Sequence, residues 1–149
     1  MKKLLLSTLL LLLTLSAFSQ KTYEVDKYYA ELGGYVIQTD GTHGVVVAMQ
    51  NQGVGSWYDA EAMVNDASKH DSNGAKFNDW RLPTKDELNL IHKQRGSIGG
   101  FGLISGGFFW SSTEFDNDLN KAWGWNFFGG EEGYYNKYNE NGVRAVRDF

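Results

Sequence analysis

The stretch Asn78-Asp79-Trp80-Arg81-Leu82-Pro83-Thr84-Lys85-Asp86-Glu87-Leu88 reads as the start of a helix with its anchor attached. Thr84 and Glu87 have the spacing of a capping box: the Thr84 hydroxyl accepts the Glu87 backbone N–H, and the Glu87 carboxylate accepts the Thr84 N–H. Pro83 stands just outside, where its missing N–H breaks no helical bond. Leu88 and Ile91 supply the apolar face, and Gly96 after Arg95 supplies a stop. Arg81, Thr84 and Glu87 are most simply a cap and an ion pair that lock this helix to a sheet. Trp80 is expected in the core, its single N–H making a structural bond.

Upstream, Trp57, Ala60, Met63, Val64 and Ala67 fall on one helical face between Gly55 and His70, with Ser56 as cap and Gly74 beyond the end. Before it, Gly34–Asp40 and Val45–Met49 read as strands joined by the turn Asp40-Gly41-Thr42-His43-Gly44, a hairpin. Downstream, Gly96–Gly107 holds six glycines among Ile98, Phe101, Leu103 and Ile104, too apolar for a solvated linker. It is expected to be a long loop folded onto the body. Phe108–Phe115, Ala122–Phe128, Tyr134–Tyr138 and Val143–Phe149 follow as strands. Asn141-Gly142 favours a tight primed turn between the last two. Strands, two central helices and more strands predict an α+β domain with a largely antiparallel sheet.

The first residues read as an export signal: Lys2 and Lys3, an apolar run from Leu4 to Leu15, then small Ala17 and Ser19 before Gln20. That run of twelve is short of the roughly 20 residues that span a bilayer. Residues 1–19 are therefore expected to be cleaved, leaving 20–149 as one exported domain, periplasmic, surface-bound or secreted. Losing the two lysines takes the net charge from −4 to −6, which disfavours nucleic acid and anionic lipid. The absence of cysteine excludes disulfides, thiol catalysis and thiolate metal sites. Aromatic residues are 15% of the chain and glycines number 18, a composition of rings and tight turns rather than of disorder.

Asp79-Trp80-Arg81-Leu82-Pro83-Thr84 with Glu87-Leu88 resembles the DWRLPT-x-x-EL signature of the Lcl C-terminal domain family, named after a bacterial collagen-like adhesin. Phe109-Trp110-Ser111-Ser112-Thr113 resembles that family's YWSST, Ala122-Trp123 its AW element, and Val143-Arg144-Ala145-Val146-Arg147 its VR-x-VR close. Gly34, His43-Gly44 and the Trp57/Ala60 helix keep the same order. The resemblance runs from about Gly33 to Phe149. It implies a C-type-lectin-like fold, two helices packed on mostly antiparallel sheets with long glycine-rich loops, distantly similar to formylglycine-generating enzymes. The family often carries cysteines in the first helix and before the last arginine; this chain has others there, such as Ala145.

Catalysis finds little footing. The formylglycine-generating reaction needs active-site cysteines, and no G-x-S-x-G, P-loop or G-x-G-x-x-G is present. His43, His70 and His92 stand too far apart in sequence for ligand spacing. The expectation is no catalytic residue and no cofactor. Asp116, Asn117, Asp118 and Asn120 offer closely spaced oxygens that a structural calcium could use. Calcium-dependent sugar binding of the C-type-lectin kind is not expected, because Pro83 belongs to the helix start and no W-N-D occurs. Trp110 is expected in the core. Arg144 and Arg147, three apart on one strand, should point to opposite faces, so that only one meets solvent squarely and at least one pairs with Asp79, Glu87 or Asp148.

The best binding surface in the sequence is the ring-and-amide group Trp125, Glu131, Glu132, Tyr134, Tyr135, Asn136, Lys137 and Tyr138, with Trp125 sharing a face with Trp123. Rings beside amides and carboxylates suit sugar faces or protein contact. The leading expectation is an exported, non-catalytic module that binds an extracellular glycan or a surface protein through its loops. The adhesin relative suggests sulfated polysaccharide, against which the negative charge argues. The alternatives are a diverged formylglycine-generating-like enzyme and a structural envelope subunit that forms a homo-oligomer.

Overall fold

The computed structural model describes residues 20–102 and 104–149; the expected leader, 1–19, and Leu103 of the glycine-rich loop lie outside them. The first sheet contains β1 (Tyr28–Tyr29), β2 (Gly34–Thr39), β3 (Gly44–Ala48) and β9 (Val146–Asp148), in that order and antiparallel throughout. The second runs β4 (Gly53–Gly55), β8 (Asn141–Val143), β5 (Phe108–Glu114), β6 (Lys121–Asn126), β7 (Glu131–Asn136), antiparallel except for β5 against β8. Helices α1 (Trp57–Asn65), α2 (Lys85–Lys93) and the short α3 (Arg95–Ile98) complete an α+β fold.

Two buried clusters explain the apolar runs. Val46 joins Val36, Ala60, Val64, Trp80 and Trp110 on the α1 side. Its neighbours Val45 and Val47 join Leu88, Ile91, Phe109 and Trp125 on the α2 side. A strand buried on both faces has no polar alternation to show, hence Val45-Val46-Val47. Phe109 and Trp110 divide between the same two clusters.

The 78–88 segment is stitched to this frame by its backbone. Arg81 N–H donates to the Val146 carbonyl at 2.8 Å, and Val146 N–H returns to the Arg81 carbonyl at 2.9 Å. Ser112 N–H donates to the Pro83 carbonyl. Thr84 caps α2 with the full capping box, while Ser56 caps α1 by accepting the Asp59 N–H.

Four local expectations change. First, α1 stops at Asn65: Asp66 turns extended and its side chain caps a 3-10 turn at Ala67–Lys69, leaving Ala67 exposed. Second, Gly96 lies inside α3, and the reversal comes at Gly99 and Gly100, with φ of +69° and +77°. Third, Asn141-Gly142 form no hairpin turn; they are part of β8, between β4 and β5. The final segment divides between two sheets, because Arg144 and Ala145 cross from one to the other. Fourth, β7 begins at Glu131, so its hairpin with β6 is reached through Phe127–Gly130, and Lys137–Tyr138 form a turn. The two-residue β1 and the three-residue β4 are too short to carry a strand pattern in the sequence.

Candidate functional site

The sequence motifs prove to be internal fastenings. Trp80 Nε1 donates to the Gly74 carbonyl and Trp110 Nε1 to the Gly55 carbonyl, each at 2.9 Å, so both buried indoles are satisfied without a ligand. Arg147 holds Asp79 through Nε (2.7 Å) and Nη2 (3.0 Å) and stacks over Phe77. The hydrogen bonds from Arg147 hold the Asp79 carboxyl below its usual range.

The expected pairing is made by Arg147 with Asp79, but the two arginines do not share one strand: Arg144 lies between β8 and β9. Both are buried. Among the described residues Arg144 meets no carboxylate; it donates to the Ala48 and Met49 carbonyls and to Asn51 Oδ1 at 2.8–2.9 Å, and lies over the Phe101 ring. Burial pushes its guanidinium down to about 9.

The ring-and-amide group is taken apart by the sheet. Trp125 is only 8% exposed and packs beside His92 under α2. Tyr134 projects to the same side but outward, stacked on Phe115 with centroids 4.0 Å apart and edge-on to Trp123. Tyr135 takes the opposite face against Phe108 and Trp110; burial, then Glu131, raises its hydroxyl. Lys137 is 4% exposed, bonded to Glu114 at 2.5 Å and lying 4.2 Å from the Trp57 ring centre. Asn136 closes the following turn by accepting the Tyr138 N–H. Glu131 and Glu132 stay on the exposed edge, Glu132 within 3.2 Å of Lys85. Buried Trp125 and Lys137 therefore cannot greet a ligand from solvent.

Asp118 already accepts the backbone and side-chain N–H groups of Asn120 and lies 3.4 Å from Lys121. The Asn120 backbone N–H leads in lowering its carboxyl. Asp116, Asn117 and Asn120 are exposed around it. Among the described residues no three His, Asp or Glu side chains converge as metal ligands.

Tyr138 leads elsewhere. It is 75% exposed and leans on Tyr58, itself 51% exposed, with ring centres 5.2 Å apart. Tyr58 borders an open groove of about 400 Å³, lined also by Trp57, Glu61, Asn65, Trp80, Arg81, Leu82 and Ser112. Ligand sites are commonly clefts of ~300–1,000 Å³ with apolar walls and a few polar groups. One wall is the outer face of α1, where Tyr58, Glu61 and Asn65 recur at i, i+3 and i+7. The other is the Trp80–Leu82 segment. Trp57 is fixed by its Nε1 donating to the Ser111 carbonyl at 2.8 Å, and Lys137 covers its ring.

Arg81 lines this groove with its charge engaged. Glu87 holds it with two bonds and Asp148 with a third at 2.8 Å. The bonds to Glu87, ahead of the Asp148 bond, raise the guanidinium above its ordinary value. Burial would raise the Glu87 carboxyl, but Arg81 and the Thr84 N–H outweigh it and leave it lowered. Tyr58, Glu61, Asn65 and Ser112 were missed from sequence. The first three do share a helical spacing, but the polar face of a helix carries no sign of what it stands beside.

The family model described as the Lcl C-terminal domain matches residues 19–147. The chain belongs to the Lcl C-terminal domain family. The match includes both walls of the groove, so the groove is built entirely within this Lcl C-terminal domain. A search of curated proteins finds no match. Among the described residues, no helix of this Lcl C-terminal domain is long and apolar enough to cross a membrane.

Proposed function

We propose that this protein is an exported, non-catalytic binding module that holds an extracellular glycan or surface protein in the groove between α1 and the Trp80–Leu82 segment. The observation that carries the reading is Tyr58. Its ring is half exposed at the rim of the groove and extended by Tyr138, whereas Trp125 and Lys137 of the ring-and-amide group are buried. Membership in the Lcl C-terminal domain family supports a binding role.

The chemistry of the groove supports the same reading. Arg81 and Glu87 neutralise each other. Among the described residues lining the groove with Ser112 there is neither a histidine nor a lysine that could take its proton. Export rests on the leader-like first 19 residues.

The direct test is a glycan and protein array probed with wild type and with Asn65→Trp. Asn65 is exposed on the last turn of α1, so an indole there fills the groove without entering the core. Binding that disappears in the variant supports the reading; binding that survives unchanged places the ligand elsewhere. Cell fractionation with N-terminal sequencing, expected to find a chain beginning at Gln20 outside the cytoplasm, tests export.

A further inference from the structure

We infer that the ligand of this groove is an uncharged saccharide, one pyranose face resting on the Tyr58–Tyr138 rim; the inference depends on the groove being the binding site. Charge is the first ground. Among the described residues lining the groove, Arg81 is the only cation, and Glu87 and Asp148 already take three of its hydrogen bonds. Lys137, the next cation, lies buried behind Trp57 and is held by Glu114. Glu61 adds negative charge to the wall and has no ion pair among the described residues. A sulfate or carboxylate would have to break the bidentate Arg81–Glu87 pair and sit beside Glu61, which like-charge repulsion opposes.

Hydrogen-bonding character is the second ground. An ammonium or guanidinium group only donates, and an anion only accepts. This groove offers both kinds of group around one aromatic wall. Glu61 accepts, as does Ser112, whose hydroxyl hydrogen goes to the Pro83 carbonyl; Tyr58 can donate as well as accept, and so can Asn65, one of whose N–H groups bonds the Glu61 carbonyl. Sugar hydroxyls also do both, and the C–H face of a pyranose matches a half-exposed ring whose other end is wet. A cationic side chain would leave the Tyr58 hydroxyl and the second N–H of the Asn65 amide unused as donors.

The test is isothermal titration of wild type, Tyr58→Ala, Glu61→Gln and Asn65→Trp with cellohexaose, mannohexaose, galactohexaose and chitohexaose, alongside heparin hexasaccharide and hexalysine. Tyr58 is exposed at the helix surface, and unchanged thermal unfolding verifies that its variant folds. The expected result is binding to at least one neutral hexasaccharide, little altered between low and high salt. It should weaken about tenfold or more in Tyr58→Ala and severalfold in Glu61→Gln, and vanish in Asn65→Trp. Salt-sensitive binding of heparin or hexalysine that vanishes in Asn65→Trp would keep the groove and overturn the ligand class. Binding of any probe that survives Asn65→Trp would overturn the groove itself. Silence from all four neutral sugars would also overturn the inference.

Discussion

Arg81 and Glu87 are joined by two parallel hydrogen bonds, Nη1 to Oε2 at 2.7 Å and Nη2 to Oε1 at 2.8 Å. The same Oε2 accepts the Thr84 N–H at 2.7 Å. One carboxylate thus closes the capping box of α2 and neutralises the cation of the groove. Because Arg81 also exchanges two backbone bonds with Val146, the helix start, the last strand and one groove wall are a single fastening.

Glu87→Gln should destabilise the fold by about 2 kcal/mol at pH 7, the scale of hydrogen bonds to charged groups. Folding lowers the Glu87 carboxyl from its ordinary 4.5. Its contribution is therefore complete above that value and is lost as the pH falls through the lower folded value. Urea unfolding should show the gap between wild type and variant narrowing from pH 7 to pH 3. A gap independent of pH would mean that shape rather than charge is lost.

Arg144 is a buried cation surrounded by neutral acceptors, and each becomes orphaned when it is truncated. Arg144→Ala should cost about 3 kcal/mol or more, since several carbonyls lose their partner at once. Arg144→Lys should recover little, because a point-like ammonium cannot reach the Ala48, Met49 and Asn51 oxygens in one plane. Chemical denaturation of the two variants checks both statements.

Gly96 and Gly99 should respond oppositely to alanine. A Cβ at Gly96, inside α3, meets nothing within 4 Å, so Gly96→Ala should stabilise by about 0.5–1 kcal/mol through the unfolded chain. Gly99 has φ +69° and ψ −177°, a region nearly reserved for glycine, and Gly99→Ala should cost about 1–3 kcal/mol. Equal and small effects on the melting temperature would contradict the assigned turn.

Calcium should not stabilise the Asp116–Asn120 turn measurably. Asp118 is already occupied by Asn120 and Lys121, and displacing them opposes binding. Millimolar calcium against EDTA should leave the melting temperature within about 1 °C, since only a ligand that binds the native state raises it. A rise of several degrees would assign an ion to this turn.

Much was legible in the sequence because it is written in short range. The Thr84 capping box, the Ser56 cap and the Gly34–Ala48 hairpin each depend on residues a few positions apart, and each stands where its spacing put it. What failed involved partners far along the chain. Asn141-Gly142 has the chemistry of a turn, yet two neighbouring strands claim it. Trp125, Tyr134 and Tyr135 look like one group until the pleat and α2 sort them into buried, outward and opposite positions.

The α+β class, the starts of α1 and α2 and the family are all written in the chain's local order, since caps, turns and ordered motifs act through short spacings. The groove comes from long-range folding alone. Its walls, α1 and the Trp80–Leu82 segment, meet because Arg81 pairs with Val146, some 65 residues onward — a long-range bridge whose closure no local pattern encodes.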